Sequence, residues 1–141
     1  MQSVYVPSLF ARLANILATV IQVVLGVIFI AFPAAFPPLL GLPAAPAWTD
    51  WIFAIFGARA LGFAYGMAVS LTDLRRHASW LVGMIVVQAI DWIGTLLAVS
   101  AGKVTLAQVS TASFLPVVFI LALAFELMRQ RRLGSAAGEL L

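Results

Sequence analysis

Two side chains of opposite charge interrupt long apolar runs. Arg59 stands inside the run 51–71 and Asp91 inside the run 78–100. If both runs are helical, Arg59 lies about eight residues, or ~12 Å, from the start of its helix. Asp91 lies about eleven residues, or ~17 Å, before Gly102. The runs are joined by a short link, so the two charges are expected at similar depth on neighbouring helices. An isolated charge at the centre of a membrane helix costs at least ~2.5–3.5 kcal/mol on the insertion scale. Mutual hydrogen bonds lower that cost, so an Arg59–Asp91 contact is predicted. Such a pair fixes which helices meet and in which register. Alternatively, one of the two faces a cavity and binds a polar group of a ligand, or the arginine snorkels toward the interface.

The chemistry open to these residues is narrow. Arginine stays protonated and can stabilise an anion but cannot act as a base. Asp91 is the sole candidate base deep within the apolar runs, where Arg59 and Tyr65 are the other titratable groups; Glu126, near the cytoplasmic end of the last run, reads as an interfacial charge. The chain has no cysteine and one histidine, His77. That excludes disulfides, thiolate metal sites and a bis-histidine haem within one chain. His77 adjoins Arg75 and Arg76 and reads as a solvated loop residue. No catalytic residue, metal or cofactor is expected.

Other polar side chains fall on helical stripes. Gln88, Asp91 and Thr95 share a face, as do Asn15, Thr19, Gln22 and Gly26. Lipid offers them no hydrogen-bond partner, so both stripes should face inward. They either hydrogen-bond between helices, at ~0.6 kcal/mol each, or line a polar pocket among the first three helices. Arg59, Asp91, Gln88, Thr95 and Gln22 are therefore the candidates for a buried ion pair or a ligand site. Ala58, Gly62, Gly66 and Ser70 recur every fourth residue and include a GxxxG motif. Such a stripe allows close helix packing within this chain or against another.

The elements that must carry these residues follow from composition. Of the 141 residues, 64% are hydrophobic and 9% charged, and the mean hydropathy is +1.12. Soluble domains carry about 25% charged residues, so this chain belongs in lipid. Four apolar runs, at about 13–32, 51–71, 78–100 and 105–128, are each long enough for a ~30 Å hydrocarbon core. The first is too long for a typical signal-peptide core and is expected to be a retained helix. The expected fold is all-α: an integral membrane four-helix antiparallel bundle, residues 1–141 forming a single transmembrane domain.

Short links at 73–77 and 101–104 call for antiparallel neighbours. Gly102 suits a helix C-terminus, and Thr105 with Gln108 forms a capping-box pattern opening the fourth helix. The first connection is different: Pro33, Pro37, Pro38, Pro43 and Pro46 forbid a continuous helix. Being apolar, this proline-rich loop is expected to lie in the interface or dip back onto the bundle. Pro116 should kink the fourth helix or free the Ala112 carbonyl. Glu126 can pair with Arg129 one turn on, Trp92 is expected in the core with its N–H bonded, and residues 134–141 read as a frayed tail.

Charge sets the topology. Arg12, Arg75, Arg76, Arg129, Arg131 and Arg132 flank one set of helix ends, against Lys103 on the other. That bias places both termini in the cytoplasm of a cell inner (plasma) membrane. Trp48, Trp51 and Trp80 stand at span ends, where such rings anchor. The net charge of +3 is spread over helix ends, which argues against a nucleic-acid partner.

The basic residue ahead of the first helix, the loop Phe36-Pro37-Pro38-Leu39-Leu40-Gly41-Leu42-Pro43 and the run Ala58-Arg59-Ala60-Leu61-Gly62 together resemble the small bacterial DoxX-like four-helix membrane proteins. The likeness covers the first three helices, about two thirds of the chain. Some DoxX-like proteins are accessory subunits of membrane oxidoreductases, which implies a helper role and carries over no catalytic residue.

Two functions fit these observations. One is a non-enzymatic accessory or interaction subunit, in a homo-oligomer or a larger membrane complex. The other is a binder or carrier of a small hydrophobic or amphiphilic molecule, which requires an inter-helical cavity reaching Arg59, Asp91 and Gln88. Four-helix multidrug exporters need an acid in the first helix, and this chain has none there.

Overall fold

The computed structural model describes residues 6–138. It is all-helical, with no strand among the described residues. The elements are α1 (Leu9–Ala31), the short α2 (Phe36–Leu39), α3 (Asp50–Ser70), α4 (Ala78–Ser100) and α5 (Ser110–Gly138), with 3-10 turns at Pro33–Ala35 and Ala47–Thr49. Four of these helices are long and apolar enough to cross a membrane.

Helix ends follow local chemistry. The first helix begins before residue 13 because Ser8 caps it, its Oγ accepting from Ala11 N at 3.2 Å. At the end of α4, Gly102 takes φ 67°. Lys103 N then donates to Ala98 O and Gly102 N to Val99 O, each at 3.0 Å, which is a Schellman closure. Thr105 and Gln108 do form a reciprocal box: Thr105 N donates to Gln108 Oε1 at 2.8 Å and Gln108 N to Thr105 Oγ1 at 3.3 Å. The box closes an isolated turn, however, and α5 starts only at Ser110. At the other end α5 runs past 128 and continues through 134 to Gly138, in place of the frayed tail that the sequence predicts; 139–141 lie outside the described residues.

The loop after α1 folds back onto the long helices. Phe36 of α2 stacks edge-on against Phe29 of α1 at 4.6 Å between centroids, and Phe53 of α3 completes the cluster at 5.5 and 6.1 Å. Pro37 is buried. Gly41 turns the chain at φ 66°, and its carbonyl accepts from Gln108 Nε2 at 3.1 Å. The two connections at this end are thereby tied together.

Packing is uneven around the molecule. α1 packs most extensively on α3, α4 packs on α5, and α1 also meets α5; α3 and α4 touch far less. Small residues let α1 and α3 approach: a Cβ at Gly57 would come within 2.9 Å of Gly26 O. The close-packed core lies toward the end where α3 turns into α4. It comprises Ala14 and Ala18 of α1, Met67 of α3, Leu74 of the turn, Leu81 and Met84 of α4, and Phe119, Ala122 and Leu123 of α5. Between these apolar surfaces, dispersion and tight fit supply the cohesion when the outer surface faces lipid. The outer surface is itself aliphatic and aromatic, with Val20, Ile90 and Leu121 among many exposed large side chains.

Candidate functional site

Beyond that core, toward the Gly41 and Gly102 end, the helices border a partly open cavity of about 380 Å³. Three helices supply its polar wall: Gln22 from α1; Gln88, Asp91 and Thr95 from α4; and Thr111 from α5, with Gln108 just ahead of it. Ile21 and Leu25 of α1, Phe36 and Leu40 at α2, and Leu115 and Phe119 of α5 form the apolar remainder. Four of the five residues singled out from sequence thus share one cavity. The fifth, Arg59, does not line it.

The cavity exists because of local sequence. The α2 turn roofs it, since proline after proline prevents α1 from continuing and Phe36 is pulled in by Phe29 and Phe53. Pro116 is buried inside α5 and has no N–H to offer the Ala112 carbonyl, and both residues line the cavity. Trp92 Nε1 donates to Ser113 O at 2.8 Å, holding α4 on α5 beside the opening.

The polar groups are only lightly engaged. Gln88 is buried, and its Nε2 lies 3.5 Å from Met84 Sδ, a weak acceptor. Thr95 donates back to Asp91 O at 2.8 Å within its own helix, which leaves its oxygen able to accept. No lysine or arginine stands on the cavity wall, and Asp91, although it lines the cavity, is exposed and not turned fully inward as its stripe predicts.

The expected Arg59–Asp91 contact does not form. Among the described residues the ion pair within 4.0 Å is Glu126–Arg129, at 3.6 Å. Arg59 stands one turn ahead of Phe63 on α3. Phe63 and Gly66 do meet α4: the Trp80 ring covers Gly66 and stands edge-on to Phe63 at 6.4 Å. Contacts between α3 and α4 are otherwise few. Arg59 is exposed, its guanidinium 5.8 Å from the Phe56 ring centroid.

The polar stripe on α1 also divides. Asn15 crosses to α3, its Nδ2 donating to Ser70 Oγ at 2.6 Å, while its Oδ1 is buried with no partner. Thr19 bonds back to Asn15 O, Gln22 faces the cavity, and Gly26 abuts Leu61 and Gly57. The stripe on α3 is corrected in a similar way. Gly66 and Ser70 are buried, but Ala58 and Gly62 lie on the surface, with open space beside Gly62. The small residues buried in α3 also include Gly57, Ala60 and Ala64.

No family model, curated protein or solved structure matches this chain.

One polar centre was not anticipated as such. Glu126 is fully buried within the protein. It pairs with Arg129 as expected, but its closer partners belong to α1: Ser8 Oγ donates to Oε2 at 2.6 Å and Ser8 N at 3.1 Å. Pro7-Ser8 ahead of an apolar run was the available signal for a helix start. Nothing in the sequence said which carboxylate would meet it. Among the described residues, no group of three metal-ligating side chains converges.

Proposed function

We propose that this chain is a multi-pass protein of a bacterial inner membrane that binds a small amphiphilic molecule between its helices. The observation that carries the reading is the cavity of about 380 Å³ on which Gln22, Gln88 and Asp91 converge. Its volume falls in the range of small-molecule sites, which combine an apolar lining with a few placed polar groups. Lacking a basic residue, the polar wall suits a ligand whose head donates hydrogen bonds, such as an amine or alcohol. The apolar side chains accommodate the rest of the molecule. No catalytic step is assigned to it.

The four long helices form an antiparallel bundle in this reading. Both termini lie in the cytoplasm, on the side of Arg12, Arg75, Arg76 and the arginines of α5, opposite Lys103. The DoxX-like resemblance agrees with such a bundle. An accessory-subunit role is the second reading, favoured by the open face of α3 at Ala58 and Gly62, which a helix of another copy or of a larger complex can cover.

The test is gentle-detergent purification followed by mass spectrometry of everything extracted with the protein. A small amphiphile retained by the wild type and lost from Asp91→Asn and Gln88→Leu, both still folded, is the expected result. Equal recovery from all three proteins would remove the cavity from consideration. Stoichiometric recovery of another protein, with no small molecule, would favour the accessory role.

A further inference from the structure

A second concavity lies at the opposite end of the molecule, between the start of α1 and the α3–α4 turn. It holds about 460 Å³ and is lined by Arg12, Asp73 and Arg75, with Leu71 and Leu74 among its apolar walls. Neither guanidinium makes an ion pair within 4.0 Å among the described residues. Asp73 is fixed in place, because its Oδ1 accepts from the backbone N–H of both Arg75 and Arg76 at 3.0 Å. The turn makes no use of its second oxygen. Two guanidiniums beside one immobilised carboxylate match a ligand carrying a phosphate anion and a cationic donor.

The surroundings point to a lipid as the source. Arg12 stands near the start of an apolar helix, and Ile16 and Val20 follow at i+4 and i+8, both exposed. Leu9 and Leu13 flank the arginine and are also exposed. A headgroup held at Arg12 leaves its acyl chains alongside this aliphatic track.

We infer that the groove between Arg12, Asp73 and Arg75 binds the headgroup of a phospholipid that carries a phosphodiester and a primary ammonium. The guanidiniums take the phosphate and the Asp73 carboxylate takes the ammonium. A trimethylated headgroup has no N–H to give Asp73, and an anionic glycerol headgroup has no cation to offer it. The inference rests on the membrane-crossing aspect of the proposed function and is independent of the cavity.

Native mass spectrometry of the full chain, with synthetic phosphatidylethanolamine, phosphatidylcholine and phosphatidylglycerol added in turn, tests it. The wild type should retain the ethanolamine lipid over both others by about tenfold, the equivalent of one charge-assisted hydrogen bond. Arg12→Gln with Arg75→Gln should weaken all three. Asp73→Asn keeps the turn, because its amide oxygen can accept the same two N–H bonds, and should erase the preference over phosphatidylglycerol. Equal retention of the three lipids by the wild type, or no change in either variant, would overturn the assignment. Displacement by an equimolar amount of soluble glycerophosphoethanolamine would overturn the lipid source. Alkaline extraction of membranes separates the two failures. Release of the chain sinks the membrane reading itself, whereas a retained chain without headgroup preference sinks only this inference.

Discussion

Ser8 and Glu126, 118 residues apart, share a hydrogen bond of 2.6 Å between the hydroxyl and the carboxylate. The same Ser8 oxygen accepts from Ala11 N, so one side chain caps α1 and holds it to α5. A carboxylate at a helix N-terminus also meets the favourable end of the helix dipole. Ser8→Ala should therefore cost about 2–3 kcal/mol, combining a lost cap with a lost charge-assisted bond. Glu126→Gln should cost a similar amount. In a double-mutant cycle followed by denaturation in mixed micelles, the two should couple by about 0.5–3 kcal/mol. Strict additivity would mean that the bond contributes nothing.

Gly66 and Gly62 belong to one motif but should respond oppositely to a methyl group. A Cβ at Gly66 meets the Trp80 ring, and one at Gly62 meets open space. Gly66→Ala is expected to destabilise by about 1–3 kcal/mol through overpacking. Gly62→Ala should be neutral or stabilise by up to ~1 kcal/mol through helix propensity. Thermal unfolding of the two variants in the same detergent distinguishes them. Equal losses would show that Gly62 also packs against a neighbour.

Arg59 and Asp91 are of opposite charge and similar depth, yet they are not partners. Arg59→Gln and Asp91→Asn should accordingly be additive in stability, within about 0.3–0.5 kcal/mol. Their effects on small-molecule retention should also differ, since Asp91 lines the cavity and Arg59 does not. A coupling well above that limit would mean that α3 and α4 close together in the membrane.

The α3–α4 turn should depend on acid through Asp73. The N–H that Arg76 donates to its Oδ1 holds the carboxyl below its ordinary value of 3.8; desolvation opposes this, and the Arg75 N–H adds to the lowering. A carboxyl whose folded value is depressed contributes fully above the ordinary value and loses that contribution as pH falls through the folded one. The amide resonances of Arg75 and Arg76 should therefore hold steady down to about pH 3.8 and shift only below it. In Asp73→Asn they should stay flat throughout. A transition near neutrality in the wild type would contradict the geometry.

Much of the architecture was readable in the residues because it depends on short-range physics. Twenty-residue apolar runs, a glycine after a helix and a serine or threonine before one act through the backbone bonds of their own segment. That is why 78–100 coincides with α4, why Gly102 closes it, and why the proline-rich loop turns back instead of continuing α1. Helical periodicity likewise puts Gln88, Asp91 and Thr95 on one face of α4, whereas their meeting with Gln22 of α1 at one cavity depends on how the helices pack.

What only the tertiary structure decided is which faces meet. Arg59 shares α3 with Phe63 and Gly66, which do meet α4, but pairing also requires the two helices to stay together, and they touch little and stand apart elsewhere. That separation comes from long-range packing: Gly26 and Gly57 draw α3 onto α1, while Trp92 holds α4 on α5. The Ser8–Glu126 bond is non-local in the same way, joining the start of one helix to the end of another. Periodicity along a single helix carries no information about such distances, because each is set by the summed fit of several surfaces at once.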